Sequence, residues 1–136
     1  MRKHLIIGYS LYRIKPINKE VSTWSIEQTD TFEDWFFSLE EVERENVLAS
    51  VLLLRERGPM LSRPHADTVN GSQYPNMKEL RVQSFGRPIR VFFAFDPRRT
   101  GILLCAGDKG GNDKRFYNEM IPIADKEYTA HLEPLK

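Results

Sequence analysis

The sequence contains one cysteine, Cys105, among 136 residues, which excludes an intramolecular disulfide and a cysteine-based zinc site. Its three histidines are scattered along the chain and no phosphate-loop motif is present, so no metal site and no cofactor are expected. No apolar run approaches the roughly 20 residues that a membrane-spanning helix needs. The first residues lack the small-residue cleavage site of a secretion signal, and we therefore expect a cytoplasmic protein.

An excess of charge of one sign is also nearly absent, since 20 basic and 19 acidic residues give a formal net charge of +1. The two signs are nevertheless separated along the chain. Residues 20–46 hold nine acidic residues and one basic residue, whereas residues 78–115 hold nine basic and four acidic residues. A basic region attracts a polyanion and an acidic region repels it, although two ordinary solvated faces would give the same pattern.

With 40% hydrophobic and 29% charged residues, the chain has the composition of one globular domain. We place this domain at residues 22–136, preceded by an extension of uncertain structure over residues 1–21. The predicted elements are a strand at 24–28, helices from 30 and over 40–57, strands at 77–83, 88–95 and 101–106, and a helix over 113–132. Short turns between the last three strands predict antiparallel pairing, and the element order indicates an α+β fold.

Local signals refine this prediction at three places. Asp30 and Glu33 have the spacing of a helix-capping pair, which predicts the start of the first helix. The polar loop over residues 61–76 is longer than most connections, which favours a functional role for it. Pro122 lies within the last predicted helix and is expected to break or kink it.

Two arginines occupy the most informative positions in the predicted sheet. If the turn at residues 84–87 closes a four-residue loop, Arg81 lies opposite Arg90 and both side chains point to the same face. Like charges directly opposite each other are destabilising, so the pair predicts a bound anion, for which phosphate is the natural candidate. The alternative is that Glu79 or another carboxylate neutralises Arg81.

Basic and aromatic residues cluster around the turn that follows the last predicted strand. Backbone N–H groups at a glycine turn and at a helix N-terminus favour anions, although these side chains would equally serve to cover the sheet edge. Asp108 and Asp113 flank the turn, where they are expected to cap the last helix. The cluster consists of Lys109, Lys114, Arg115 and Tyr117.

His65 lies in the polar loop, between Arg63 and Asp67. Its imidazole titrates near neutral pH, which suits a general base. A single histidine in a loop is otherwise a surface hydrogen-bonding residue. His65 is therefore a candidate catalytic residue, with that alternative left open.

Several segments of the chain together resemble one protein family. They are RPHADTVNGS at 63–72, MKELRV at 77–82, PIRVFFAFDPRR at 88–99, GDK at 107–109 and KRFY at 114–117. In this order they resemble the HigB-like, phage-derived branch of the RelE/ParE toxin superfamily over about residues 22–132. The resemblance implies two N-terminal helices packed on a small twisted antiparallel sheet, with a C-terminal helix.

The resemblance implies a toxin of a type II toxin–antitoxin pair that cleaves messenger RNA in the ribosomal A site and inhibits translation. Such a reaction needs an activated 2′-OH, a held scissile phosphate, stabilisation of the developing charge and a protonated 5′-oxygen. The implied endoribonuclease is metal-independent and uses no small-molecule cofactor. Its implied partners are the ribosome, messenger RNA and a cognate antitoxin, usually a helix-turn-helix protein, which we expect to cover the basic face with acidic or apolar residues.

The resemblance also implies roles for individual residues. Arg81 and Arg90 resemble the sheet positions that hold and polarise the phosphate. Lys109, Tyr117 and His65 are, in that order, the candidates for the general base, and Tyr117 also resembles an aromatic residue that stacks on or orients a nucleobase. The expected RNA-binding residues are Arg63, Lys78, Lys114 and Arg115.

Two other functions are compatible with the same fold, because the fold alone does not select a function. The superfamily includes ParE-like gyrase inhibitors, which a DNA-supercoiling assay distinguishes from a ribonuclease. A catalytically silent toxin would act only within a repressor complex and would be harmless on overexpression. Residues 1–20 form an extension that the family does not explain.

Overall fold

The computed structural model describes residues 2–3 and 23–136, so most of the predicted extension over residues 1–21 lies outside the described residues. The elements in chain order are β1 (Arg2–Lys3), β2 (Ile26–Gln28), α1 (Asp30–Ser38), α2 (Glu41–Arg57), β3 (Ala66–Thr68), β4 (Lys78–Ser84), β5 (Arg87–Phe95), β6 (Gly101–Asp108) and α3 (Asp113–Leu132). Short 3₁₀ segments follow α2 and α3. None of the described helices is both long and apolar enough to cross a membrane.

The strands form one sheet in the order β1-β2-β6-β5-β4-β3. The predicted meander of β4, β5 and β6 is antiparallel, as expected from its short turns. One pairing departs from a purely antiparallel sheet, because β2 runs parallel to β6 with Ile26 opposite Gly101. The α+β class and the order of helices and strands are confirmed, and the sheet is mixed.

The sheet separates two apolar cores, which define its two faces. The two-helix face packs against α1 and α2, and the α3 face packs against α3. A fully buried valine, leucine, isoleucine, methionine or phenylalanine side chain stabilises the fold by about 1.5–3 kcal/mol. The core of the two-helix face includes Phe32, Phe36, Val47, Leu48, Val51, Leu54, Leu80, Val82, Ile89 and Val91. The core of the α3 face includes Val69, Met77, Phe92, Ala94, Ile102, Leu104, Cys105, Phe116, Ala124 and Tyr128.

The ends of the first two helices have local causes. Thr29 caps α1, because its hydroxyl accepts a hydrogen bond from the Phe32 backbone N–H at 3.0 Å. The predicted capping pair of Asp30 and Glu33 is therefore wrong, and Asp30 is the first residue of the helix. Gly58 ends α2 in the left-handed region, with φ +60, where an added Cβ would lie 2.4 Å from the Trp24 ring.

The polar loop predicted over residues 61–76 contains the short edge strand β3, so that part of the prediction is wrong. The rest of the loop is fastened to α3 through the carboxylate of Asp125. It accepts hydrogen bonds from the Ser72 hydroxyl at 2.5 Å and the Gln73 backbone N–H at 3.1 Å. Tyr74 packs edge-on against Tyr128, with ring centroids 4.7 Å apart. The part of the loop that follows β3 therefore packs against α3.

The last helix is continuous from Asp113 to Leu132 and passes through Pro122, so the proline does not divide it. Asn112 caps it, because its side-chain oxygen accepts from the Arg115 backbone N–H at 3.0 Å. The expectation that Asp108 or Asp113 caps the helix is therefore wrong. Asp108 instead accepts hydrogen bonds from the turn and from a neighbouring arginine.

Candidate functional site

The turn between β4 and β5 determines which residues lie opposite each other at the site. Ser84 pairs with Arg87, so the loop between them has two residues, Phe85 and Gly86, both in the left-handed region. A two-residue loop with this backbone matches the right-handed twist of the flanking strands. The resulting register places Arg81 opposite Arg90, as the sequence predicted.

The same register extends across the sheet on either side of the arginine pair. Directly before β3, the His65 carbonyl accepts a hydrogen bond of 2.8 Å from the Arg81 backbone N–H, which places His65 beside Arg81 at the sheet edge. On β6, Gly107 lies opposite Arg90, and an added Cβ there would lie 3.2 Å from the Phe116 ring. These neighbouring residues form a row across the sheet, which runs from the exposed His65 to Gly107, the residue covered by α3.

Arg90 and Glu79 form the buried centre of the site. Their side chains are 6% and 7% exposed, and Arg90 Nε lies 3.8 Å from Glu79 Oε2. Arg90 Nη1 donates to the Ile89 carbonyl at 3.2 Å, whereas Nε has no hydrogen-bond partner within the described part of the chain. A buried donor left without a hydrogen bond costs about 1–3 kcal/mol, and the charge of the Glu79 carboxylate beside Nε offsets part of this cost.

Arg81 differs from its cross-strand partner in burial and in pairing. Arg81 is half-buried, and it forms no ion pair with any other residue in the range 23–136. The sequence left open whether Glu79 neutralises Arg81, and the Glu79 carboxylate pairs with Arg90 instead. Arg81 is thus the accessible cation beside a buried ion pair.

Tyr117, on the first turns of α3, completes this centre from the helix side. Its hydroxyl donates a hydrogen bond of 2.6 Å to Glu79 Oε1. Burial raises the pKa of Tyr117 to about 12, and the Glu79 carboxylate adds to this increase while Arg90 opposes it. The Tyr117 hydroxyl is therefore protonated at neutral pH and is a hydrogen-bond donor rather than a base.

Lys109 lies two residues beyond Gly107, where β6 has ended. Its backbone N–H donates to the Pro88 carbonyl at 2.8 Å, which fixes this residue at the edge of the site. Its side chain is 17% exposed, and the ammonium lies 3.3 Å from the Asp113 carboxylate. A cation held this way suits charge stabilisation better than proton abstraction.

The structure does not bring all expected RNA-binding residues to this centre. Lys78 donates from Nζ to the Pro59 carbonyl at 3.3 Å, on the two-helix face. Arg63 is exposed and bonds Asp67 at 2.6 Å, which holds the pKa of the Asp67 carboxyl below its usual range. Lys114 and Arg115 are exposed on the first turn of α3, beside the site but outside its buried centre.

The central position of Glu79 in the site was not predicted from the sequence. Glu79 precedes Arg81 by two residues, so the alternation of a strand places both on one face. The two-residue spacing is apparent from the sequence. The contact with Tyr117, which gives the Glu79 carboxylate a second partner, depends instead on the packing of α3. Among the described residues, no group of three or more histidine, cysteine, aspartate or glutamate side chains is arranged to hold a metal ion.

The arrangement combines cationic donors, a carboxylate acceptor and a phenolic donor on one face of the sheet. Two guanidiniums on adjacent strands suit a phosphate, because arginine binds phosphate oxygens with a planar set of donors. A buried carboxylate can accept a proton, and a protonated phenol can donate one. These are the groups that a phosphate-ester cleavage requires.

Comparison with known proteins gives a family match and two relatives. Residues 34–129 match the family described as phage-derived protein Gp49-like. HigB3 of Mycobacterium tuberculosis, named as a candidate toxin, is 51% identical over 94 residues, which cover 69% of this chain and 81% of HigB3. HigB2 of the same organism, also named as a candidate toxin, is 46% identical over 99 residues, which cover 72% of this chain and 49% of HigB2. This chain therefore spans about half the length of HigB2.

A solved structure has the same fold. A mutant of the Escherichia coli toxin RelE in the free state superposes with a TM-score of 0.54, covering 71% of this chain and 93% of that one. The two sequences are 12% identical, so this likeness shows the fold alone.

Proposed function

The chain belongs to the phage-derived Gp49-like family, and from this premise we propose that it is a HigB-like toxin that cleaves messenger RNA on the ribosome. The observation that carries the proposal is the arginine pair on β4 and β5 beside a buried carboxylate and a protonated phenol. Arg81 and Arg90 hold the scissile phosphate and stabilise the charge that develops on it.

The proposed cleavage is a transfer within the RNA backbone. The 2′-oxygen attacks the adjacent phosphorus and loses its proton to Glu79, while the bond from phosphorus to the 5′-oxygen breaks. Tyr117 protonates the leaving 5′-oxygen and regains a proton from Glu79 through the hydrogen bond that joins the two side chains. The products are a 2′,3′-cyclic phosphate and a 5′-hydroxyl, and no water or metal is consumed.

The surrounding residues have supporting roles in this proposal. Lys109 stabilises the negative charge of the phosphate, and His65, beside Arg81, is the alternative general base. The exposed cations Arg63, Lys114 and Arg115 contact the RNA backbone. The partners are the ribosome, the message and a cognate antitoxin, and cleavage is metal-independent.

The test is primer extension on a reporter message in a cell-free translation system, with ribosomes present or omitted. We expect the wild-type protein to produce breaks in the message only when ribosomes are present. These breaks should persist when a chelator removes the metal ions that the ribosome itself does not need. Arg81→Ala is expected to reduce cleavage at least 100-fold, because one of the two phosphate-binding guanidiniums is lost. Lys126→Ala, an exposed cation on α3 away from the site, is the matched control.

Three results would contradict this proposal. Breaks in naked RNA would indicate a free ribonuclease, and full activity of folded Arg81→Ala would remove the arginine pair from the mechanism. An intact message would direct attention to gyrase, where a supercoiling assay detects a ParE-like inhibitor. Because Arg90→Ala leaves Glu79 buried without its cation, Arg90→Lys is the variant to use at that position.

A further inference from the structure

Gln83 lies on the same face of the sheet as the arginine pair. It follows Arg81 by two residues on β4, so the alternation of the strand turns both side chains towards the α3 face, roughly 7 Å apart along the strand. The flanking residues show this orientation, because Val82 is buried in the core of the two-helix face and the Ser84 hydroxyl accepts a hydrogen bond from Asn46 on α2. Gln83 therefore borders the proposed phosphate site directly.

The carboxamide of Gln83 differs from the carboxylate of the site in having no partner. The Glu79 carboxylate accepts a hydrogen bond from Tyr117. Gln83 is exposed, and its side chain forms no hydrogen bond with any other residue in the range 23–136. Its cross-strand partner is Pro88, whose side chain offers neither a donor nor an acceptor. The amide is therefore available to a molecule bound at the site.

The chemistry of this amide indicates which part of an RNA it suits. A carboxamide is uncharged and presents an acceptor oxygen beside an NH₂ donor, whereas the guanidiniums of Arg81 and Arg90 suit the phosphate. In DNA complexes, glutamine pairs through both groups with the N6 amino group and N7 of adenine. Single-stranded RNA exposes its base edges, and a nucleobase adjoins the scissile phosphate on either side. An adenine edge beside the arginine pair therefore matches Gln83.

We propose that Gln83 is a specificity-determining residue, whose amide binds the N6 and N7 edge of an adenine adjoining the scissile phosphate. Its Oε1 accepts from the N6 amino group and its Nε2 donates to N7. The inference rests on the proposed cleavage of messenger RNA and adds a preferred base to it. Because Gln83 transfers no proton, its loss changes where the message is cut.

The first test measures RNA binding without cleavage. The probe is a short oligoadenylate in which fluorine replaces every 2′-hydroxyl, and it is compared with the same oligonucleotide made of 7-deazaadenine, which has carbon in place of N7. We expect the wild type to bind the adenine form about fivefold more tightly, because the N7 contact is lost in the other. Gln83→Ala should bind both forms equally. Fluorescence anisotropy measures the affinities.

Gln73→Ala is the matched control, because the Gln73 amide lies away from the site and donates to the Thr129 hydroxyl at 3.2 Å. It should keep the wild-type preference for adenine. Gln83→Ala removes no hydrogen bond within the described part of the chain, so its melting temperature should stay unchanged. Equal binding of the two oligonucleotides by the wild type, or a preference that survives in Gln83→Ala, overturns the proposal.

The ribosome-dependent assay gives a second readout, in which base preference rather than rate is measured. Arginine binds the O6 and N7 acceptors of guanine, so Gln83→Arg should raise the ratio of breaks beside guanine to breaks beside adenine about fivefold or more. An unchanged distribution of breaks in this variant and in Gln83→Ala overturns the inference and leaves the nuclease in place. If the wild type does not cleave but distinguishes 7-deazaadenine through Gln83, the proposed nuclease fails and the base contact stands.

Discussion

At the residue scale, the hydrogen bond from Tyr117 to Glu79 determines which group can lose a proton and which can give one. We expect Tyr117→Phe to reduce ribosome-dependent cleavage on the order of 100-fold, because a general acid contributes about that much or more. The phenyl ring keeps its edge-on packing against Phe92, so the variant should fold. Single-turnover cleavage of a stalled reporter message measures the effect.

The pH dependence of the wild-type reaction provides the control for this prediction. Since the pKa of Tyr117 is raised to about 12, its hydroxyl keeps its proton across the working range, and the rate should show no alkaline decrease from this residue below about pH 10. A decrease near neutral pH that disappears in Tyr117→Phe would contradict the assignment. The raised pKa stabilises the fold fully below the unfolded value of about 10, and this contribution is lost as the pH rises towards 12.

The sequence was sufficient to predict part of this site, for a reason specific to hairpins. A four-residue turn determines every cross-strand pair, and so Arg81 opposite Arg90 follows from the chain alone. The contact between Tyr117 and Glu79 does not follow from it. It depends on how α3 is rotated over the sheet, which the packing of Phe116 against Phe92 and Gly107 decides.

At the element scale, the C-terminal end of α3 is attached to the turn between β5 and β6 by a buried polar cluster. Asp96 Oδ2 lies 2.8 Å from His131 Nε2 and 2.8 Å from Arg98 Nη2. Burial opposes ionisation of Asp96, but hydrogen bonds from His131, Arg98 and the Thr100 backbone outweigh it, so the pKa of Asp96 is held below its usual range.

We expect Asp96→Asn to destabilise the protein by about 3 kcal/mol at pH 7, because it removes one partner of a buried charged cluster. A lowered pKa gives stability that is present above the unfolded value of about 4 and is lost as the pH falls through the folded value. The wild type should therefore lose more stability than Asp96→Asn between pH 5 and pH 3. Urea unfolding at several pH values measures both quantities, and Asp34→Asn, at an exposed carboxylate on α1, should leave them nearly unchanged.

The limits of sequence prediction at this scale follow from the range of the interactions. Helices and meander strands have local patterns, which is why their bounds were predicted within a few residues. The strand β3 has three residues within a polar loop, and it forms because Ala66 pairs with Leu80. The parallel pairing of β2 with β6 joins distant parts of the chain, and no local pattern specifies it.

At the scale of the whole molecule, charge is segregated between the acidic first helices and the basic strands and turn. Binding of naked single-stranded RNA should therefore weaken with salt. Three or four phosphate contacts predict that log K falls with log salt concentration with a slope of about −2 to −3. Filter binding at salt concentrations from about 50 mM to about 200 mM tests this expectation. Asp34→Lys should bind faster at low salt only, and a salt-independent affinity would contradict the electrostatic origin.

The position of the arginine pair within the sheet has a consequence for local opening of the fold. Arg90 lies on β5, which has ladder partners on both sides, whereas β2 contributes three residues towards one edge of the sheet. Fraying of an edge strand exposes few backbone hydrogen bonds, but separating β5 requires most of the sheet to open. We therefore expect the amides of β5 around Arg90 to exchange more slowly than those of the edge strands, so that the pairing of Arg81 with Arg90 persists while an edge frays.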